Sequence, residues 1–207
     1  MQSKLDFKKT MKTFFYPPVG EFSEIDLPKM RFVMVDGAGD PNSAKAYGRA
    51  LEWLYSTSYA MKFSAKNNMN CDYVVPPLEG LWWAEDPLDF VRRRKSTWLW
   101  TMLIMVPEFV TDQMFEAARE NASKKLGKPP ETLRLATLHE GLCLQTTHIG
   151  SYDDEGPTLA RLHDSIMPER GWTFNGPHHE IYLSDPRRVA KDRLRTVLRQ
   201  PVKPIQV

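Results

Sequence analysis

The stretch His178-His179-Glu180-Ile181-Tyr182-Leu183-Ser184-Asp185-Pro186 places a carboxylate and a phenol inside an aromatic and β-branched run that ends in a sharp stop. Read as a strand, it puts Glu180 and Tyr182 on one face and Ile181 and Leu183 on the other, so the aliphatic pair meets a core while the acid and the phenol look elsewhere. An unpaired acid in an apolar place costs several kcal/mol or titrates higher, so it marks a functional site or a structural ion pair, here with Arg187 or Arg188. A buried carboxylate beside a phenol can orient a water molecule and stabilise a developing negative charge. Glu79 is a second such acid, in Pro77-Leu78-Glu79-Gly80-Leu81-Trp82-Trp83, where it shares a face with Leu81 and Trp83. It reads equally well as the structural partner of an arginine. Trp98 and Trp100, in register with Met102 and Ile104, make a flat, polarizable wall suited to a planar ligand, or simply core.

These residues need elements to hold them. Met30 to Val35 reads as a first strand, and Asp36-Gly37-Ala38-Gly39-Asp40-Pro41-Asn42 as the turn into a helix over about 43–63 with Ala46, Tyr47, Ala50, Leu51, Leu54 and Met61 inward. A second strand covers about 72–83, with Pro76-Pro77 marking an edge, a bulge or its true start. Thr97 to Val106 is the clearest strand; both its faces are apolar, and the aliphatic one suits a helix. Thr111 caps a helix to about Leu126, stopped by Gly127. Residues 133–148 read as one long strand interrupted at Gly141, with Gly141, Cys143 and Gln145 on one face. A helix follows with Leu159, Leu162, Ile166 and Met167 inward, then the strand of Glu180, and finally a helix over about 189–199 with Leu194, Val197 and Leu198 inward. Residues 1–28 show neither period and read as an extended arm.

Composition narrows the function. With 207 residues, 42% hydrophobic and 26% charged, the chain reads as an ordinary soluble protein. A net charge of +2 and one short basic cluster, Arg92-Arg93-Arg94-Lys95 beside Asp86 and Asp89, argue against a nucleic-acid partner. No helix-turn-helix segment is readable, which disfavours a transcription regulator. No run approaches the ~18 apolar residues of a membrane span, and the N-terminus lacks a signal-peptide pattern, so the expected location is cytoplasmic. Cys71 and Cys143 fit reduced thiols, and no histidine or cysteine spacing suits a metal. No cofactor is expected.

Strand, glycine turn, helix, strand, strand occurs from Met30 to Val106, and a similar order recurs after His139. Two such units would leave their second sheet faces to meet around a cleft. Gly141 through Tyr152 together with Glu180-Ile181-Tyr182-Leu183-Ser184-Asp185-Pro186 resembles the GyrI-like small-molecule-binding family. Asp36 to Asn42, Pro77 to Trp83 and Trp98-Leu99-Trp100 resemble its stand-alone branch, which includes cyclopropanoid hydrolases. The resemblance departs at Ser151, where the family often has proline, and at Cys143, where other branches often have a larger residue. It implies an α+β fold of tandem βαββ units, two SHS2-like modules, as a single domain over about 29–207, with halves of about 29–128 and about 129–207 and a pocket between them. It also implies that Glu180 faces a cationic or polarised ligand. The expected function is hydrolytic opening of the cyclopropane ring of a genotoxin, as cellular protection; the rival is a multidrug or cation binder without chemistry. Glu180 would be the base. Tyr182, or Glu79 held protonated by burial, would bond the ligand oxygen. Trp83, Trp98, Trp100, Met102, Cys143 and Gln145 would bind an aromatic or cyclopropanoid molecule. The chain is expected to be a monomer or weak dimer.

Overall fold

The computed structural model describes residues 4–86 and 94–206, so Arg92, Arg93, Asp89 and Pro87 lie outside the described residues. The chain divides into two compact units, Met30–Leu138 with the N-terminal segment up to Thr10, and Met11–Lys29 with His139 onward. The segment before Met30 is not one extended arm. It holds two single-turn helices, α1 (Phe7–Thr10) and α2 (Lys12–Phe15), and a strand, β1 (Ser23–Leu27).

The first unit continues with β2 (Met30–Ala38), α3 (Lys45–Met69), β3 (Leu78–Trp83), β4 (Leu99–Val106), α4 (Asp112–Leu126) and β5 (Arg134–Leu138). Its strands pair antiparallel in the order β5-β2-β4-β3. The prolines before Leu78 mark the true start of β3. Helix α3 outlasts the expected end near Phe63 because Ala65 is still buried; it stops where Asn70 takes a left-handed conformation, φ 55°. Helix α4 begins as expected, with the Thr111 hydroxyl accepting from the Met114 N–H at 3.2 Å.

Register decides which sheet face meets α3. Trp100 stands opposite both Gly37 and Trp82, donates its indole N–H to the Gly39 carbonyl at 3.2 Å and packs edge-on against Tyr47 of α3, centroids 5.4 Å apart. The aliphatic face was the one expected to meet a helix; the tryptophan face does so instead. The reason is Gly37, which leaves a recess the indole fills: a Cβ there would lie 2.1 Å from Trp100 Cη2.

The second unit adds β6 (Gly141–Ile149), α5 (Gly156–Arg161), a π turn (Leu162–Ile166), α6 (Met167–Glu169), β7 (Trp172–Phe174), β8 (His178–Tyr182) and β9 (Arg195–Pro204). Strand β6 pairs with β1 and β9, and β9 also pairs with β7 and β8, all antiparallel. Phe22, Leu144, Leu162, Met167 and Val202 form its core beneath the helical segment. Two expectations fail here. The run 133–148 is two strands that separate at Gly141, φ 64°, because β5 joins β2 whereas β6 joins β1 and β9. The closing helix is strand β9 instead: Thr196 to Val202 are all buried, and a strand covered on both faces loses the alternation that distinguishes it from a helix.

Gly37→Ala should therefore lower stability by about 1–3 kcal/mol, since the indole must move. At exposed Gly48 in α3 nothing lies within 4 Å of an added Cβ, so Gly48→Ala should raise stability by up to about 1 kcal/mol. Urea unfolding of the two variants checks the opposite signs.

Candidate functional site

Alternation along β8 sends His178, Glu180 and Tyr182 to one side and His179 and Ile181 to the other. On the first side, the Tyr182 hydroxyl donates to Glu180 Oε2 at 2.7 Å, and His178 Nε2 stands 3.6 Å from Glu180 Oε1. The Glu180 side chain is 13% exposed and that of His178 3%. Glu180 lies opposite Leu198 of β9, on the face where Leu144 packs against Leu162, so the acid looks toward the helical segment. Tyr152 closes that side, its ring edge-on to Tyr182 with centroids 5.6 Å apart. The alternative reading, an ion pair of Glu180 with Arg187 or Arg188, is not the one the structure shows. Both arginines turn to Asp185, at 2.9 and 3.8 Å, and the Arg187 hydrogen bonds hold the Asp185 carboxyl down at about 2.

On the opposite side lies a buried charge cluster. His179 Nδ1 is 3.0 Å from each Glu140 oxygen, and Arg199 Nη1 is 3.6 Å from Glu140 Oε2. Burial pushes the Glu140 carboxyl upward, but His179 and Arg199 together outweigh it and hold it below the ordinary carboxylate range. Arg199 also donates to Gln145 Oε1 at 3.2 and 3.0 Å and to the Phe14 carbonyl at 2.8 Å. The Gln145 amide in turn donates to the Thr13 carbonyl at 2.8 Å. Cys143 is fully buried on this face, and burial first, then Glu140, push its thiol far up, away from the thiolate. Cys143 and Gln145 thus stand across the sheet from Glu180 and Tyr182.

In the first unit Glu79 and Trp83 share a face, as expected. Glu79 is 1% exposed, opposite Leu103. Trp83 borders a shallow open cleft of about 530 Å³ with Leu99, Thr101, Asp36 and Arg134. There the Asp36 carboxylate accepts from Arg134 at 2.7 and 3.0 Å and from the Thr101 hydroxyl at 2.7 Å. Trp100 and Met102 are fully buried on the other face, and Trp98 lies edge-on to Trp82 at 5.6 Å.

Sequence reasoning missed His178 as a neighbour of Glu180, although the spacing His178-x-Glu180-x-Tyr182 already places all three on one side of a strand. It also missed Glu140 and Arg199, which no local pattern joins. Among the described residues no group of three His, Cys, Asp or Glu side chains is placed to hold a metal, and no helix is long and apolar enough to cross a membrane.

A family model described as the GyrI-like small molecule binding domain matches residues 20–203. An uncharacterized conserved protein from Listeria innocua has a solved structure with 38% identity and a TM-score of 0.88, covering 97% of this chain and 100% of that one. A hydrolase from Listeria innocua is 36% identical with a TM-score of 0.83, at the same two coverages. The C-terminal domain of EcmrR, 10% identical with a TM-score of 0.57 over 89% of this chain and 98% of that one, shares the fold. A search of curated proteins finds no match.

His163, in the π turn, gives the site's surroundings a pH dependence. Burial, with the nearby His178 second, pulls its imidazole down from 6.5 to about 4, against smaller raising effects of Asp164 and Gln200. The unfolded chain therefore takes up this proton first. The stabilisation is complete above about pH 6.5 and is lost as pH falls through about 4. Between those values the parent should lose more stability than His163→Leu does, in denaturant melts repeated across the interval.

Proposed function

We propose a hydrolytic role from the premise that the chain belongs to the GyrI-like small molecule binding domain family. The reaction is the opening of the strained, carbonyl-activated cyclopropane ring of a cyclopropanoid genotoxin by water. The observation that carries this reading is the 2.7 Å hydrogen bond from Tyr182 to Glu180, which aims a half-buried carboxylate with one oxygen occupied. A base held this way has a fixed lone pair for a water molecule. Supporting it is the hydrolase from Listeria innocua, 36% identical along its full length.

In the proposed step Glu180 takes a proton from water, the water oxygen bonds to a ring carbon, and the breaking C–C pair moves into the conjugated carbonyl. The proton taken by Glu180 then passes through solvent to the resulting oxyanion, which completes the addition of water and restores the carboxylate. Tyr182 in this geometry orients the base. Glu79 is the proposed contact of the ligand oxygen, and Trp83, on the same face, is proposed to shape the surface that receives the ligand's flat body; Trp100 and Met102, buried on the other face, and Trp98, packed against Trp82, are proposed to back that surface without touching the ligand. Cys143 and Gln145, engaged across the sheet, support the strand that carries the base, and their proposed contribution to binding is indirect. The consequence for the cell is detoxification, in the cytoplasm, without cofactor.

Glu180→Gln keeps shape and removes the base. It should bind a neutral cyclopropanoid about as well as the parent yet turn it over about 10²- to 10⁴-fold more slowly, as loss of a general base does. Product analysis for the water adduct, alongside ligand binding, separates the readings. Weakened binding of cationic ligands with no water adduct from the parent would instead identify a cation binder.

A further inference from the structure

Helix α3 carries more exposed apolar surface than its place over a sheet requires. Tyr55, Tyr59, Phe63 and Met69 are 39%, 46%, 52% and 43% exposed. The first three stand four residues apart, so they form one stripe along the outer face. Rings of Tyr59 and Phe63 lie 6.3 Å apart. Beside the stripe runs a groove of about 440 Å³ lined by Glu52, Tyr55, Ser56, Tyr59 and, from α4, Lys125 and Leu126. Scattered apolar residues need no explanation, but a continuous stripe bounded by charge does.

The stripe is self-complementary about Tyr59. Tyr55 precedes it by four residues and Phe63 follows by four; Glu52 precedes it by seven and Lys66 follows by seven, and all five are exposed. We propose that this face of α3 is a homodimer interface, in which two copies pair antiparallel about a two-fold axis at Tyr59. An isologous contact of this kind sets each residue against the one equidistant from the axis. The partner's Phe63 then meets Tyr55 at the mouth of the groove, and the partner's Lys66 meets Glu52. Both ends of the contact thus match in charge as well as in shape, which two parallel copies would not achieve. The four side chains expose roughly half of about 200 Å² each, a few hundred Å² per copy against the ~800 Å² of a standard interface. The dimer is therefore weak, forming in the range of roughly 10–100 µM.

Sedimentation velocity of the full chain from about 1 to 500 µM tests this, with circular dichroism confirming that each variant is folded. The expected result is reversible dimerisation that Phe63→Glu abolishes. Glu52→Lys and Lys66→Glu should each weaken it about tenfold at low salt, because each creates two like-charge contacts per dimer. The variant carrying both substitutions should regain the parent's affinity. A chain that stays monomeric throughout the range overturns the proposal. So does association that the single charge reversals leave unchanged, or that the combined variant fails to restore. Pelleting of a monomeric parent with phosphatidylcholine–phosphatidylserine vesicles, lost in Phe63→Glu, would assign the stripe to a lipid surface instead.

Discussion

Arg199, 1% exposed, is the buried charge on which the arrangement of the second unit depends. A buried cation is tolerated only when its charge and every donor are answered, since desolvation otherwise costs several kcal/mol. Glu140 answers the charge, and Gln145 and the Phe14 carbonyl answer the donors. Those partners come from the residue just before β6, the middle of β6 and α2, so one side chain fixes the N-terminal segment, β6 and β9 against each other. His179 supplies the remaining neighbour to Glu140 and thereby fixes the alternation of β8. With His179 committed to one side, His178, Glu180 and Tyr182 must stand on the other.

The same division of labour appears in the first unit with different chemistry. There Trp100, seated over Gly37 and held by the Gly39 carbonyl, commits one face of β4 to α3. Glu79 and Trp83 consequently occupy the opposite face of the neighbouring strand. In one unit an ionic cluster and in the other an indole in a glycine recess determine which way the acids look. Neither acid owes its orientation to its own contacts alone.

Much of this was legible in the sequence where the determining forces are local. Thr111 announced α4 because its hydroxyl answers an N–H three residues on, and the valine- and phenylalanine-rich run after Met30 announced β2. The acid and phenol of β8 were legible by alternation, and the separated motifs were enough to identify the family. What failed depends on distant partners. Leu194, Val197 and Leu198 fit a helical stripe and a doubly covered strand equally well, and only pairing with β6, β7 and β8 decides between them. The tryptophan face of β4 was misassigned because nothing in its own residues reveals that Gly37 stands opposite. Arg199 and Glu140 carry no local pattern that joins them, and only the pairing of β6 with β9 brings them together.

Strand β5 has a further consequence. Among the described residues it pairs with β2 alone, which leaves its outer backbone groups as a template for strand addition. It is only five residues long, opens on Arg134, whose guanidinium is anchored to Asp36, and ends three residues before the break at Gly141. An edge this short, with a fixed positive charge at one end, offers little register to an incoming strand. The colloidal safety of the first unit thus rests on brevity and a cation at its margin, and lengthening β5 or neutralising Arg134 would erode it before touching the core.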